Sequence, residues 1–194
     1  MKRLVAVSFL AMGVLLAHLA FAQTFEQTKA KAEKGDPAAE FRLAVMYAKG
    51  QGVAKDWAKA KPWFEKAAAR GNVKAMQNLG IMYLHGLAGN KDLAKAKDMF
   101  AKAAAKGSAA AQFSLGFMYY HGKGVKQDLT QAKTWLEKAV AQGYPKAQVA
   151  LAYMYAKGIG VKKDLAKAKA LLQKAAKKGQ AEAKKMLKEL EAAK

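Results

Sequence analysis

Residues 108–143 read SAAAQFSLGFMYYHGKGVKQDLTQAKTWLEKAVAQG, and this stretch decides the fold. It opens on Ser108, whose side-chain oxygen suits the first turn of a helix, where backbone N–H groups lack partners. Ala111, Leu115 and Tyr119 follow at four-residue spacing, which puts them on one helical face. Gly122 stands where that helix must stop in a left-handed turn. Asp128 then opens a second helix that runs to Gly143.

The pattern recurs every 36 residues in both directions. Tyr47, Tyr83, Tyr119 and Tyr155 share one column; Gly71, Gly107, Gly143 and Gly179 share another. Gly50, Gly86, Gly122 and Gly158 keep the same step, as do Asp56, Asp92, Asp128 and Asp164, and Leu43, Leu79, Leu115 and Leu151. Five columns in one register define four repeats, 36–71, 72–107, 108–143 and 144–179. Asp36 and Asn72 take the place of Ser108 as N-caps, and Pro37 and Pro145 sit at the first helical position, where a missing N–H costs nothing. Residues 23–35 read as a lone second helix and 180–194 as a lone first helix, half-repeat caps for the two ends. There Glu191 replaces the tyrosine, as a solvent-facing end requires.

Each unit is a helix, a short loop and a helix. In repeat one the first helix carries Ala39, Leu43 and Tyr47 inward with Ala44 beside them. The second carries Trp57, Ala60, Phe64, Ala67 and Ala68. Gly80 and Gly116 replace Ala44 in repeats two and three; an interior glycine costs about 1 kcal/mol relative to alanine, so close helix approach should compensate. One hairpin cannot bury both its faces, whereas stacked hairpins can.

The composition agrees with an all-helical chain. Of 194 residues, 53% are hydrophobic, with three prolines and no cysteine, so disulfides are excluded and stability rests on packing. The formal charge is +21, carried almost wholly by lysine; beyond Arg3 the only arginines are Arg42 and Arg70. Such an excess attracts acidic partners and polyanions, but lysine is a point charge without the planar fork of arginine. Lys2 and Arg3 precede an apolar run from Leu4, and Ala20-Phe21-Ala22 supplies small residues where a signal peptidase cuts. Residues 1–22 therefore read as a cleavable leader, the mature chain beginning at Gln23 in the periplasm or outside the cell. The competing reading is an uncleaved anchor, since the apolar run approaches spanning length; no basic stop-transfer cluster follows it at once.

These columns resemble the Sel-1-like repeat, a relative of the tetratricopeptide repeat. Repeat three carries its pattern in Ala111, Leu115, Gly116, Tyr119, Gly122, Gly124, Val125, Asp128, Ala132, Trp135, Lys138, Ala139 and Gly143. Repeat two departs at Gly86-Leu87-Ala88-Gly89-Asn90, where the second glycine is displaced by one residue, so a different loop path is expected. Met99 and Leu171 stand in the tryptophan column. The resemblance implies an all-α, right-handed α/α superhelical solenoid whose first helices line the concave side. It also implies an exported bacterial adaptor that holds proteins or envelope components. Some cysteine-rich relatives bind or slowly hydrolyse β-lactams; each of their repeats is stapled by a cysteine pair that this chain lacks.

The remaining polar columns have structural readings. His85 and His121 lie one repeat apart, but a metal needs three or four ligands and the equivalent positions are Lys49 and Lys157, so no metal site is expected. The aspartate column serves as helix caps, and Met46, Met82, Met118 and Met154 as core filling. No catalytic set and no phosphate-binding loop has recognisable spacing, so neither an enzyme nor a cofactor site is expected. The lysines of the second helices, such as Lys59, Lys66, Lys95 and Lys102, read as a solvated face.

The first helices do offer a variable face opposite the shared stripe. Repeat one contributes Arg42, Val45 and Lys49; repeat two, Asn78, Ile81 and His85; repeat three, Ser114, Phe117 and His121; repeat four, Ala150, Tyr153 and Lys157. Val45, Ile81, Phe117 and Tyr153 are expected to form an apolar seam flanked by basic and polar groups. The leading expectation is a non-enzymatic scaffold that engages an acidic protein partner there, in the manner of a regulator or inhibitor. The alternative is binding of anionic envelope polysaccharide or peptidoglycan, and a β-lactam hydrolase is the weakest reading. Neither nucleic acid binding nor stable membrane insertion of the mature chain is expected.

Overall fold

The computed structural model describes residues 23–192, so the leader and its cleavage after Ala22 lie outside the described residues. Those residues form ten α-helices and no strand. They are α1 (23–33), α2 (Pro37–Lys49), α3 (Trp57–Ala69), α4 (Val73–His85), α5 (Leu93–Ala105), α6 (Ala109–His121), α7 (Leu129–Ala141), α8 (Pro145–Lys157), α9 (Leu165–Lys177) and α10 (Ala181–Ala192). The chain divides after Lys91 into two compact units, α1–α4 and α5–α10.

Local chemistry sets the helix ends. Asp36, Asn72 and Ser108 each accept an N–H bond from the third residue of their helix, at 2.7, 3.0 and 3.2 Å. Asp56, Asp92, Asp128 and Asp164 do the same for the second helices, each at 2.9 Å. Backbone donation from Lys59 and Lys95 holds the Asp56 and Asp92 carboxyls below the usual carboxylate range. The same aspartates close the loop behind them: the N–H of Asp56 donates to the carbonyl of Tyr47, Asp128 to Tyr119 and Asp164 to Tyr155. One aspartate thus starts the second helix with its side chain and ties it to the first with its backbone. At α8 the cap position is Tyr144, which makes no side-chain cap bond; its ring packs 5.6 Å from Phe113 instead.

The two loop glycines have different tasks. Gly122 ends α6 at φ 65°, a left-handed conformation that a Cβ disfavours. Gly124 is needed for space as well: a Cβ there would stand 2.6 Å from the Cβ of Leu93, and at Gly160 2.5 Å from that of Leu129. The second glycine therefore lets the loop press on the helix of the preceding repeat. In the departing loop, Gly86 keeps the left-handed cap at φ 70° but Gly89 moves to φ 130°, the different path expected from its displaced position.

In the first unit α2 packs on α3 and α3 on α4. Phe25 and Ala32 of α1 join Ala39, Leu43 and Met46 of α2 in one core. In the second unit α5 packs on α6, α6 on α7, α7 on α8, α8 on α9 and α9 on α10. Its core holds Leu136, Leu151 and Met154, continuing through Ala152 and Leu172 to Ala183. All four column methionines are buried, as filling of irregular core space requires. The column tyrosines are half-buried: Tyr47 and Tyr155 pack against the core, and lysines cover the open side of two of the rings, Lys61 over Tyr83 at 5.2 Å and Lys167 over Tyr155 at 5.3 Å. At α10, Glu191 is exposed and pairs with Lys169 at 3.3 Å.

Gly116 is the clearest case of that approach. A Cβ there would meet the Leu136 side chain at 2.9 Å and the Ala132 carbonyl at 3.2 Å. The helix-propensity cost of this glycine is thus offset by contact between α6 and α7. The second-helix lysines are partly engaged as well: Lys66 lies 4.2 Å over the Trp63 ring, and Lys102 binds Asp98 at 2.8 Å.

Candidate binding groove

The second unit carries one face that its own helices leave uncovered. On α6, Phe113, Phe117 and Tyr120 recur at i, i+4 and i+7 and are all half-buried. On α8, Val149 and Tyr153 face the same opening, and α10 contributes Met186. Between them lies a cavity of about 600 Å³ with Gly116 and Leu136 at its floor. Tyr153 is 41% exposed, one of the few large apolar side chains left open to water.

Its polar groups sit at the margins. Lys146, His121, Gln180 and Glu182 line the opening. The His121 ring packs 4.3 Å from Phe117 and 4.8 Å from Tyr120, and Lys123 Nζ stands 4.9 Å over the Phe117 ring. Burial, reinforced by the charge of Lys123, pushes the His121 pKa below its ordinary value. Burial also raises the Tyr120 phenol, with a smaller contribution from Tyr153. The groove therefore offers an apolar floor, neutral hydroxyls and a basic rim with a single carboxylate in its lining.

Of the residues singled out on the variable face, Phe117, His121 and Tyr153 come together here. Ser114 turns back to the Ala110 carbonyl at 3.0 Å, and Lys157 is exposed at the end of α8, outside the lining. In the first unit Val45 and Ile81 are half-buried, Lys49 and His85 exposed, and Asn78 donates to the Lys74 carbonyl at 2.7 Å. Arg42 borders a separate polar recess of about 260 Å³ with Thr24, Gln27, Thr28, Lys31 and Asp36. Phe113, Tyr120, Val149, Lys146 and Met186 were not among the expected residues. The aromatic triad on α6 was readable from its spacing; which neighbouring column stayed uncovered was not.

Two further recesses, of about 600 and 420 Å³, repeat one another in the second unit. Lys97, Tyr119 and the loop from Gly124 to Asp128 frame one, and Lys133, Tyr155 and the loop from Gly160 to Asp164 frame the other. Among the described residues no three metal-ligating side chains are gathered.

The Sel1 repeat model matches residues 37–72, 73–108, 109–144 and 145–180, one residue downstream of the repeats drawn from the caps. The chain belongs to the Sel1 repeat family. As a class Sel1 repeats are protein-interaction scaffolds, generally without enzymatic activity. Among solved structures, this Sel1 repeat chain is similar to a Sel1 repeat protein from Oxalobacter formigenes, with 31% identity and a TM-score of 0.82 over 86% of this chain and 66% of that one. A protective antigen of uropathogenic Escherichia coli with an SLR fold shares 32% identity and a TM-score of 0.77 over 88% of this chain and 36% of its own. An immunity protein from Pseudomonas aeruginosa shares 26% identity and a TM-score of 0.60, covering 84% of this chain and 60% of that one. This chain thus spans less than two thirds of each of these proteins or barely reaches that share. No curated protein matches it. No described helix is long and apolar enough to cross a membrane.

Proposed function

We propose that this chain is an exported, non-catalytic adaptor that grips a protein partner in the groove between α6, α8 and α10. The observation that carries the reading is the convergence of four incompletely buried rings, Phe113, Phe117, Tyr120 and Tyr153, on one apolar cavity. Aromatic anchors in a recess are the usual source of binding energy at protein interfaces, and covering them recovers about 25 cal/mol per Å² of apolar surface. The basic rim favours an acidic partner. The likeness to an immunity protein supports a restraining role, in which the adaptor holds an exported protein inactive. The apolar run after Lys2 and Arg3, ending at Ala20-Phe21-Ala22, supports export.

The test is capture from detergent-solubilised cell envelope with residues 23–194 as bait, beside the same bait carrying Phe117→Ala and Tyr153→Ala. One near-stoichiometric protein held by the first bait and lost from the second is the expected result. Equal retention by both removes the groove from the account.

The paired recesses at Lys97 and Lys133 favour a second reading, binding of anionic envelope polysaccharide. It differs in its salt response: charge-only binding to scattered lysines fades as ionic strength approaches 0.15 M. Retention that survives such salt speaks for the protein grip.

A further inference from the structure

Resting on the groove as a protein grip, we propose that its occupant is one amphipathic α-helix of the partner, apolar along one stripe and acidic on its flanks. The walls set the shape. Phe113, Phe117 and Tyr120 on α6 and Lys146, Val149 and Tyr153 on α8 repeat at helical spacing over about two turns. Two such rows, on first helices each followed by its own return helix, leave a furrow into which the side-chain ridge of a third helix fits.

Backbone chemistry then chooses between a helix and an extended strand. The N–H and C=O groups of α6 and α8 are committed to their own helices. An extended segment lying on Phe117 and Tyr153 would bring its backbone polar groups over an apolar floor, with no free backbone partner on α6 or α8 and only side chains at the margins, those of Tyr120, His121, Lys146, Tyr153, Gln180 and Glu182, to receive them. A helix arrives with those groups already paired and presents only side chains.

Charge sets the flanks. Lys123 stands at the C-terminal end of the α6 row, beside a His121 whose lowered pKa favours the neutral ring, and Lys146 at the start of the α8 row, against Glu182 as the one carboxylate of the lining. Near that start, α8 has no side-chain cap, so the positive end of its dipole adds to Lys146. Acidic residues beside both ends of the occupant's apolar stripe complement this rim.

The test uses the mature chain and three capped synthetic peptides of equal composition, followed by fluorescence polarisation and circular dichroism. The first sets leucines at helical spacing with glutamates on the flanks, the second scrambles that order, and the third moves a proline from the end to the middle. The first is expected to bind at least tenfold more tightly than the others and to gain helical signal on binding. Phe117→Ala should weaken it at least fivefold. Lys146→Glu, an exposed change that leaves the core untouched, should weaken it while sparing a glutamine version of the same peptide. Equal binding of the scrambled or proline peptide, or no binding of any, overturns the helical occupant. If envelope capture still depends on Phe117, the grip itself stands and only its occupant is wrong; if capture ignores Phe117, the grip fails as well.

Discussion

Arg70 Nε lies 3.1 Å from the buried carboxylate of Glu40, and two repeats on the same pair of positions is filled by Gln142 donating to Gln112 at 2.8 Å. Each pair joins the fourth residue of a repeat's first helix to the residue before its closing glycine. Glu40 is almost fully buried and Arg70 half exposed; their contact is close but poorly aligned for a hydrogen bond, so it is an ion pair. Arg70→Ala strands a buried carboxylate and is expected to cost about 3 kcal/mol, the low end for a buried pair because Arg70 is half in water. Gln142→Ala, which strands a neutral acceptor, should cost about 1–2 kcal/mol. Urea denaturation of the two variants gives the comparison; equal costs would mean that charge has no part in the difference.

In repeat four the pairing is broken. Lys178 Nζ donates to the Gly143 carbonyl at 2.6 Å, and Gln148 Oε1 is buried with no partner. Gln148→Leu therefore removes an unsatisfied acceptor and should leave stability within about 1 kcal/mol of the parent or raise it. Gln112→Leu should lower stability by about 1 kcal/mol, the net value of the lost bond, since the exposed Gln142 amide turns to water. Thermal melts of the two leucine variants check the contrast.

Gly116→Ala brings a Cβ within 3 Å of Leu136. Overpacking of that kind costs about 1–3 kcal/mol, against a helix-propensity gain of about 1 kcal/mol. The expected sign is destabilising, read as a lower urea midpoint. A higher midpoint would mean that α6 and α7 yield at little cost.

Pro62 sits inside α3 and is exposed, where it removes one helical hydrogen bond. Pro62→Ala is expected to stabilise the chain by about 2 kcal/mol, the interior proline penalty of about 3 reduced by the entropy that proline removes from the unfolded chain. A rise in melting temperature is the readout.

His121 has a folded pKa below its ordinary value. Between that lowered value and about 6.5, the unfolded chain binds more protons than the folded one, so stability falls as the pH is lowered through this window and is flat above it. Tyr120 and Lys123 stand beside His121, and Lys146, Tyr153 and Glu182 share the groove lining with it. Melting temperature should fall between pH 7 and pH 5 in the parent, and His121→Asn should lose that part of the fall. An unchanged slope assigns the acid sensitivity to other groups.

Helix ends were readable because their chemistry is local. Ser108 caps α6 by a bond that spans three residues, and Gly122 ends it through its own φ angle. The role of Gly124 was less legible, since the atom that demands a glycine is Leu93, a repeat away. The groove was half legible: Phe117, His121 and Tyr153 stood out by varying within a column, whereas Phe113, Val149 and Met186 lie outside those columns and reach the opening only through the packing of α6, α8 and α10.

Sequence alone determined the hairpin repeat, its period and its caps, because turn and cap chemistry acts within a few residues and recurs every 36. Tertiary structure decided which apolar columns were left uncovered. Met118 and Phe117 are neighbours on one helix with equal claim to a core; on α6, which packs between α5 and α7, the first is fully buried, while the second lines the open groove with only Lys123 and His121 over its ring. Burial is a property of surrounding helices, so only their placement separates a core residue from a candidate grip.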